Sequence, residues 1–502
     1  MNDAPISAPV VRVAAGLVQG EVVGGVRRFL SIPYAANPIG ELRFRAPAPH
    51  PGWEGVREAL TPGPSAPQAA PADRRLEGLD LSPLFAPGWD GVRDFLTANV
   101  WAPDGEARSL PVMVFVHGGA FLLGGKDTPL YDGAAFARDG VVLISINYRL
   151  GLEGFVHVPG GDTNLGLRDQ IAALAWVREN ASAFGGAADN VTVFGESAGA
   201  MSIADLVASP LARGLFRRAI VQSGHGAMVR PIDTALRLTR LLARRLKVSP
   251  DAAGFASRSI EESLAAVEWS TRPTTRLNLK NAKGRDPSYG LSKYLPVIGD
   301  EVLPETPLEA LKRGAGADVD LLIGSNREEM NLYFVPTGVM KKIGGWMARF
   351  MLSQAMPGAG RALRDYGLGK KGRKPGEALA EAMTDLVFRW PARRFAEEHK
   401  GRTHVYDFAW RSPSCGGNLG ACHGLELGFV FDTLASVTGA EGMAGPNPPQ
   451  ALADRIHSLW VDFARDGSAP WPEYSRESRQ VLALESGEAE SEPVSPAARY
   501  LP

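Results

Sequence analysis

Apolar residues recur along this chain with two different periods. The runs Pro111–Val116, Val141–Tyr148, Asn190–Phe194, Ala219–Gln222, Val319–Ile323 and His404–Ala409 are short and nearly continuously apolar. Such runs suit strands covered on both faces, as in a mostly parallel sheet. Between them, Leu165–Phe184 places Leu167, Ile171, Leu174 and Val177 three or four residues apart, and Ala198–Leu206 and Ala451–Arg465 repeat that spacing. These stripes predict helices with one apolar face. Strands alternating with helices indicate the α/β class.

The ends of the pattern differ. Val11–Val23 and Val26–Tyr34 are β-rich and separated by Gly24-Gly25, which predicts a small N-terminal hairpin. Pro47–Arg74 and Ser82–Trp89 have no sustained period and predict long loops. Arg230–Trp269 and Thr337–Phe395 read as helical, with no clear strand. We expect them to be cap insertions, over about 230–290 and 337–395, on one elaborated domain spanning residues 1–502. No internal repeat or sharp linker divides the chain.

Composition narrows the function classes. Lys plus Arg is 54 against 55 Asp plus Glu, a formal net charge of −1. That balance offers no general attraction to nucleic acid or to anionic lipid. Hydrophobic residues are 45% and charged residues 22%, which excludes wholesale disorder. The two cysteines, Cys415 and Cys422, exclude a disulfide scaffold and leave their pairing open. The first residues lack the basic and apolar regions of a signal peptide, and no run has the length of a membrane span. The expectation is a soluble, cytoplasmic protein with no nucleic-acid or membrane partner.

The sharpest local signal is Gly195-Glu196-Ser197-Ala198-Gly199, directly after the strand Asn190–Phe194 and directly before a helix. A serine at such a turn is exposed to substrate, and small residues on either side let strand and helix approach. The helix N-terminus favours an oxygen that becomes negative. His117-Gly118-Gly119-Ala120-Phe121 follows the strand Pro111–Val116, and its side-chain-poor backbone can also donate to an oxyanion. The candidate donors are the amides of Gly119, Ala120 and Ala198, with Gly118 supplying the turn.

A serine nucleophile needs a base, and eight histidines compete. In a fold with chain order Ser, acid, His, the histidines before Ser197 drop out. His225 precedes any candidate acid, His404 opens a strand, and His457 lies in a helix. His423 lies in a loop beyond the strand His404–Ala409, which is the expected position. The acid should follow the strand Val319–Ile323, where Glu328 and Glu329 are adjacent. Local reasoning leaves both open.

Together these motifs resemble the type-B carboxylesterase and cholinesterase family of α/β-hydrolases. The likeness runs from about Val11 to Trp471 and includes Phe184-Gly185-Gly186 ahead of Val191–Gly199, Asn147–Gly151, Asn164–Gln170 and Gln222-Ser223-Gly224. The overall pattern is similar to the family's bacterial para-nitrobenzyl esterases. The resemblance implies a large, mostly parallel twisted sheet with helices on both faces. It implies Glu329 as the acid, His423 as the base and Ser223 as a triad-supporting serine. It also implies a cofactor-free, metal-free hydrolase of small-molecule carboxylic esters, through a Ser-His-Glu triad and an acyl-enzyme.

Two departures stand out. Met330 replaces the glycine that usually follows the acid, and Arg93 replaces the acid expected to pair with Arg43. The loop from Pro47 to Trp89 is therefore expected to have its own conformation. A near-neutral chain with helical caps suggests an uncharged, small-to-medium ester. Phe121, Trp346, Phe350, Phe388 and Trp390 are the candidate pocket aromatics. An amidase, a lactonase or a non-catalytic binding protein on the same fold are the alternatives.

Overall fold

The computed structural model describes residues 8–70, 75–76, 78–105 and 107–501. The end of the Pro47–Arg74 loop, at 71–74, and the extreme N-terminus lie outside the described residues.

One sheet of eleven strands organises the chain. In chain order these are β1 (Glu21–Val23), β2 (Val26–Pro33), β3 (Thr97–Pro103), β4 (Leu110–Val116), β5 (Val142–Ile146), β6 (Gly186–Glu196), β7 (Arg218–Gln222), β8 (Asp320–Asn326), β9 (Thr403–Phe408), β10 (Gln480–Ala483) and β11 (Glu488–Ser491). Across the sheet they run β11-β10-β9-β8-β7-β6-β4-β5-β3-β2-β1. The seven strands from β10 to β5 are mutually parallel, and β3, β2, β1 and β11 pair antiparallel at the flanks. All of these parallel strands except β10 are the apolar runs of the sequence, because helices cover both sides.

The two faces are separate cores. Along β4, Val112, Val114 and Val116 enter one cluster while Met113 and Phe115 enter the other. This is the strand's period of two, with both faces buried. Helix α1 (Leu165–Asn180) and helix α2 (Ala198–Ala208) pack their apolar residues into the first cluster. Helix α8 (Gln450–Asp466) packs Leu452, Ile456 and Trp460 into the second.

The Gly24-Gly25 hairpin is present, with Val23 paired to Val26 and both glycines at positive φ (59° and 78°). A two-residue turn of that hand matches the strand twist. The preceding run is not one strand. Val10–Val13 and Gly16–Gln19 pair with each other, and Val56–Glu58 from the predicted loop adds a third strand beside them. The insertion near 230 carries α3 (Ile232–Leu246) and α4 (Ile260–Thr271), plus a two-residue strand, Arg230–Pro231, paired with Val297–Ile298. The second insertion carries α5 (Gly345–Ser353), α6 (Pro375–Thr384), a π-helical turn at Asp385–Arg389 and α7 (Trp390–Glu398). No helix among the described residues is long and apolar enough to cross a membrane.

Candidate active site

Four loops meet at the C-terminal ends of neighbouring parallel strands, where α/β sheets place their ligands. They follow β4, β6, β8 and β9, and each carries one of the sequence-derived candidates.

Ser197 is the single residue between β6 and α2. Its backbone stands at φ 56°, ψ −123°, a conformation that L-residues rarely adopt. The turn is held by the Ser197 amide donating to Gln222 O at 2.9 Å. The flanking glycines are there because there is no room. A Cβ on Gly195 would fall 2.5 Å from Val116 O, and one on Gly199 would overlap the same oxygen. On the facing loop, a Cβ on Gly118 would meet Glu196 Oε2 at 2.8 Å.

Ser197 Oγ lies 2.8 Å from His423 Nε2, and His423 Nδ1 lies 2.6 Å from Glu329 Oε2. The second carboxylate oxygen of Glu329 accepts the Asn326 amide at 2.7 Å, and the side chain is fully buried. Glu328 points elsewhere: its Oε2 accepts the Ala421 amide at 3.0 Å and its carboxylate pairs with Arg411. The geometry distinguishes two acids that local reasoning left open and that the family resemblance had separated. Glu328 grips the loop that carries His423, and Glu329 meets the imidazole.

Two other buried histidines have packing roles. His117 is stacked on Tyr148 with ring centroids 4.4 Å apart, and burial lowers its pKa to about 4. His225 bonds Val387 O at 2.6 Å and is lowered to about 4 by burial as well.

The Gly119 and Ala120 loop turns through positive φ (114° and 56°). The amides of Gly119, Ala120 and Ala198 donate to no protein acceptor among the described residues. Tyr148 OH donates to His117 O at 2.6 Å and fixes the base of this loop. Ser223 departs from expectation. Its amide donates to Gly324 O at 2.9 Å, but its buried hydroxyl has no hydrogen-bond partner, so it does not hold Glu329 or His423 by hydrogen bond.

Carboxylates crowd the imidazole. Glu196 Oε1 is 3.0 Å from His423 Nε2, an ionic contact without a hydrogen bond. Glu426 accepts from Asn326 Nδ2 at 2.5 Å and from Gln222 Nε2 at 3.3 Å. Burial by itself would lower the His423 pKa, but Glu196, Glu329 and Glu426 outweigh it and hold it at about 9. Burial raises Glu196 to about 8 and Glu426 to about 7. Sequence reasoning missed both. Only their nearness to Ser197 and His423 in the chain could have flagged them.

Of the expected pocket aromatics, only Phe388 faces the site, its ring 4.8 Å from that of His423. The π-helical turn carries it there. Tyr333 also lies against His423, at 5.7 Å, and had no sequence signal. Phe121 packs on Phe155 in the core, and Trp390 donates to Leu501 O. Trp346 and Phe350 are on the outside of the molecule.

The two departures are explained locally. Met330 has an ordinary helical backbone (φ −73°, ψ −7°), so a glycine is not needed there. Its side chain is fully buried. Arg43 takes its carboxylate from Glu153 at 2.7 Å instead of from position 93. No disulfide joins Cys415 and Cys422. No cluster of three or more His, Cys, Asp or Glu placed to hold a metal occurs among the described residues.

Residues 7–495 match the carboxylesterase family. The chain belongs to that family. Among its relatives is the para-nitrobenzyl esterase of Bacillus subtilis (strain 168), 36% identical over 498 residues and covering 95% of each chain. The phenmedipham hydrolase of Pseudarthrobacter oxydans is 33% identical over 497 residues, again 95% of each. A solved PNB esterase structure superposes with a TM-score of 0.83 at 34% identity, covering 99% of both chains. This carboxylesterase family member is a type-B carboxylic ester hydrolase on the α/β-hydrolase fold.

Proposed function

We propose that this carboxylesterase cleaves uncharged, small-to-medium esters with Ser197 as nucleophile, His423 as general base and Glu329 as the acid that orients it. The observation that carries the reading is the unbroken chain Ser197 Oγ, His423, Glu329, at 2.8 and 2.6 Å. Ser197 attacks the ester carbonyl as its proton passes to His423 Nε2. The free amides of Gly119, Ala120 and Ala198 take the charge on the carbonyl oxygen, each worth about 2.7–4 kcal/mol in the transition state. The alcohol leaves with the proton from His423, and water activated by the same nitrogen releases the acid from Ser197.

Phe388 and Tyr333 favour an apolar group near the reacting carbon. We retain the single-domain reading and a cytoplasmic location with it.

The test is release of para-nitrophenol from its acetate, butyrate and octanoate esters by the wild type and by Ser197→Ala. We expect the variant to lose about 10⁴–10⁶-fold in kcat. Comparable activity in Ser197→Ala would overturn the assignment. Matched anilides and lactones in the same assay separate esterase from amidase or lactonase.

A further inference from the structure

The net charge of −1 hides a strong local imbalance. Between Thr337 and Lys374 there are nine Lys or Arg and one acid, Asp365, a local charge of +8. Eight of the nine cations are exposed. Lys341, Lys342 and Arg349 make no ion pair among the described residues. They are left unneutralised.

The same stretch exposes large apolar side chains. Helix α5 buries Ala348 and Leu352 against the cap and turns Trp346, Met347 and Phe350 to solvent, at 75%, 41% and 48% exposure. Trp346 and Phe350 are one turn apart and stack face to face, 5.4 Å between centroids and 9° between planes. These are three of the nine large hydrophobics that are exposed among the described residues, gathered on two turns of one helix. Arg349 sits among them, and Lys341 and Lys342 close the short helix just before. Solvent-facing aromatic and apolar residues interleaved with cations are what an interfacial helix presents. The rings enter the headgroup boundary, and the cations meet anionic headgroups. An acidic protein would satisfy the cations but gives no reason for a bare Trp-Phe stack.

We propose that α5 and the helix Val339–Lys342 form a peripheral docking face for an anionic lipid surface. The face is tied to the reaction by the chain itself. Tyr333, against the His423 ring, is eight residues before Lys341, a reach of at most about 28 Å. Docking there brings an amphiphilic ester dissolved in the bilayer to the cap rather than to bulk water. The surface is separate from the hydrolytic machinery and does not depend on the triad assignment.

Co-sedimentation of the full-length enzyme with vesicles tests it, comparing pure phosphatidylcholine with equal parts phosphatidylcholine and phosphatidylglycerol, at low and high salt. We expect binding to the anionic vesicles only, weakened by salt. Trp346→Ala with Phe350→Ala, and separately Lys341→Glu, Lys342→Glu and Arg349→Glu, should each reduce binding by about tenfold or more. Both variants should keep wild-type hydrolysis of para-nitrophenyl acetate, which reports that they are folded. No binding of wild type to anionic vesicles at low salt would overturn the proposal. So would binding that persists undiminished in the aromatic variant, or retention on immobilised polyglutamate without any vesicle binding.

Discussion

Glu196 stands beside both Ser197 and His423, and two demands conflict at it. As a buried acid it is driven toward its neutral form, to a pKa of about 8, yet its charge is one of those that lift His423 to about 9. A base must be neutral to accept the serine proton, so activity should rise with pH as His423 loses its own. The ascending limb is expected above the ordinary imidazole value near 6.5, because three carboxylates favour the charged ring. Replacing Glu196 with Gln removes one of them while keeping the shape. The His423 pKa then falls, and the ascending limb of kcat/KM should move to lower pH. A limb that stays in place or moves to higher pH would show that Glu196 does not act on His423 through its charge. Residues of this kind were only half legible. Ser197 and His423 announce themselves by motif and order, whereas Glu329 is told from Glu328 only by family resemblance or by a 2.6 Å contact between residues 94 apart.

At the scale of elements, α2 begins at Ala198, the proposed oxyanion donor, and also carries an anomaly. Asp205 lies on its buried length with neither carboxylate oxygen hydrogen-bonded. Burial without a partner raises its pKa well above the usual carboxylate range. The folded state therefore holds a proton that the unfolded state releases above about pH 4, and stability falls as pH rises. Asp205→Asn is free of that penalty. Its advantage over wild type in thermal or urea unfolding should grow by about 1.4 kcal/mol per pH unit above pH 4, until the folded carboxyl itself ionises. Equal stability of the two proteins at pH 5 and pH 8 would mean that Asp205 has a partner in solution. Strand and helix patterns showed most of the sheet but not β3, whose Thr97 and Asn99 interrupt the apolar run although both are buried. Nor did they show β10 and β11, where edge pairing leaves β11 fully exposed and without an apolar face. The Arg43 partner, Glu153, was invisible because 110 residues separate the two.

Over the whole molecule, the site lies where the two cores come together. The loop of His423 is rooted in one of them through Cys422, Leu425 and Leu427, and Met330 and Phe388 belong to the other. The cap does not have a core of its own. Ala348 and Leu352 of α5 and Leu379 and Met383 of α6 join the same cluster as Val114 and Val193 of the central strands. Removing the cap's apolar face from that cluster would expose the sheet, so cap and sheet should unfold together despite the length of the chain. Scanning calorimetry should give one endotherm, with loss of para-nitrophenyl acetate hydrolysis coinciding with loss of the far-ultraviolet circular dichroism signal. Heating is expected to be scan-rate dependent in a chain this large, so the two losses are compared at a single rate. A separate low-temperature transition that abolishes hydrolysis while leaving most of the secondary structure would show instead that the insertions melt alone. Phe388 would then leave His423 before the sheet gives way, and the single-domain reading would be replaced by a core carrying an independent cap.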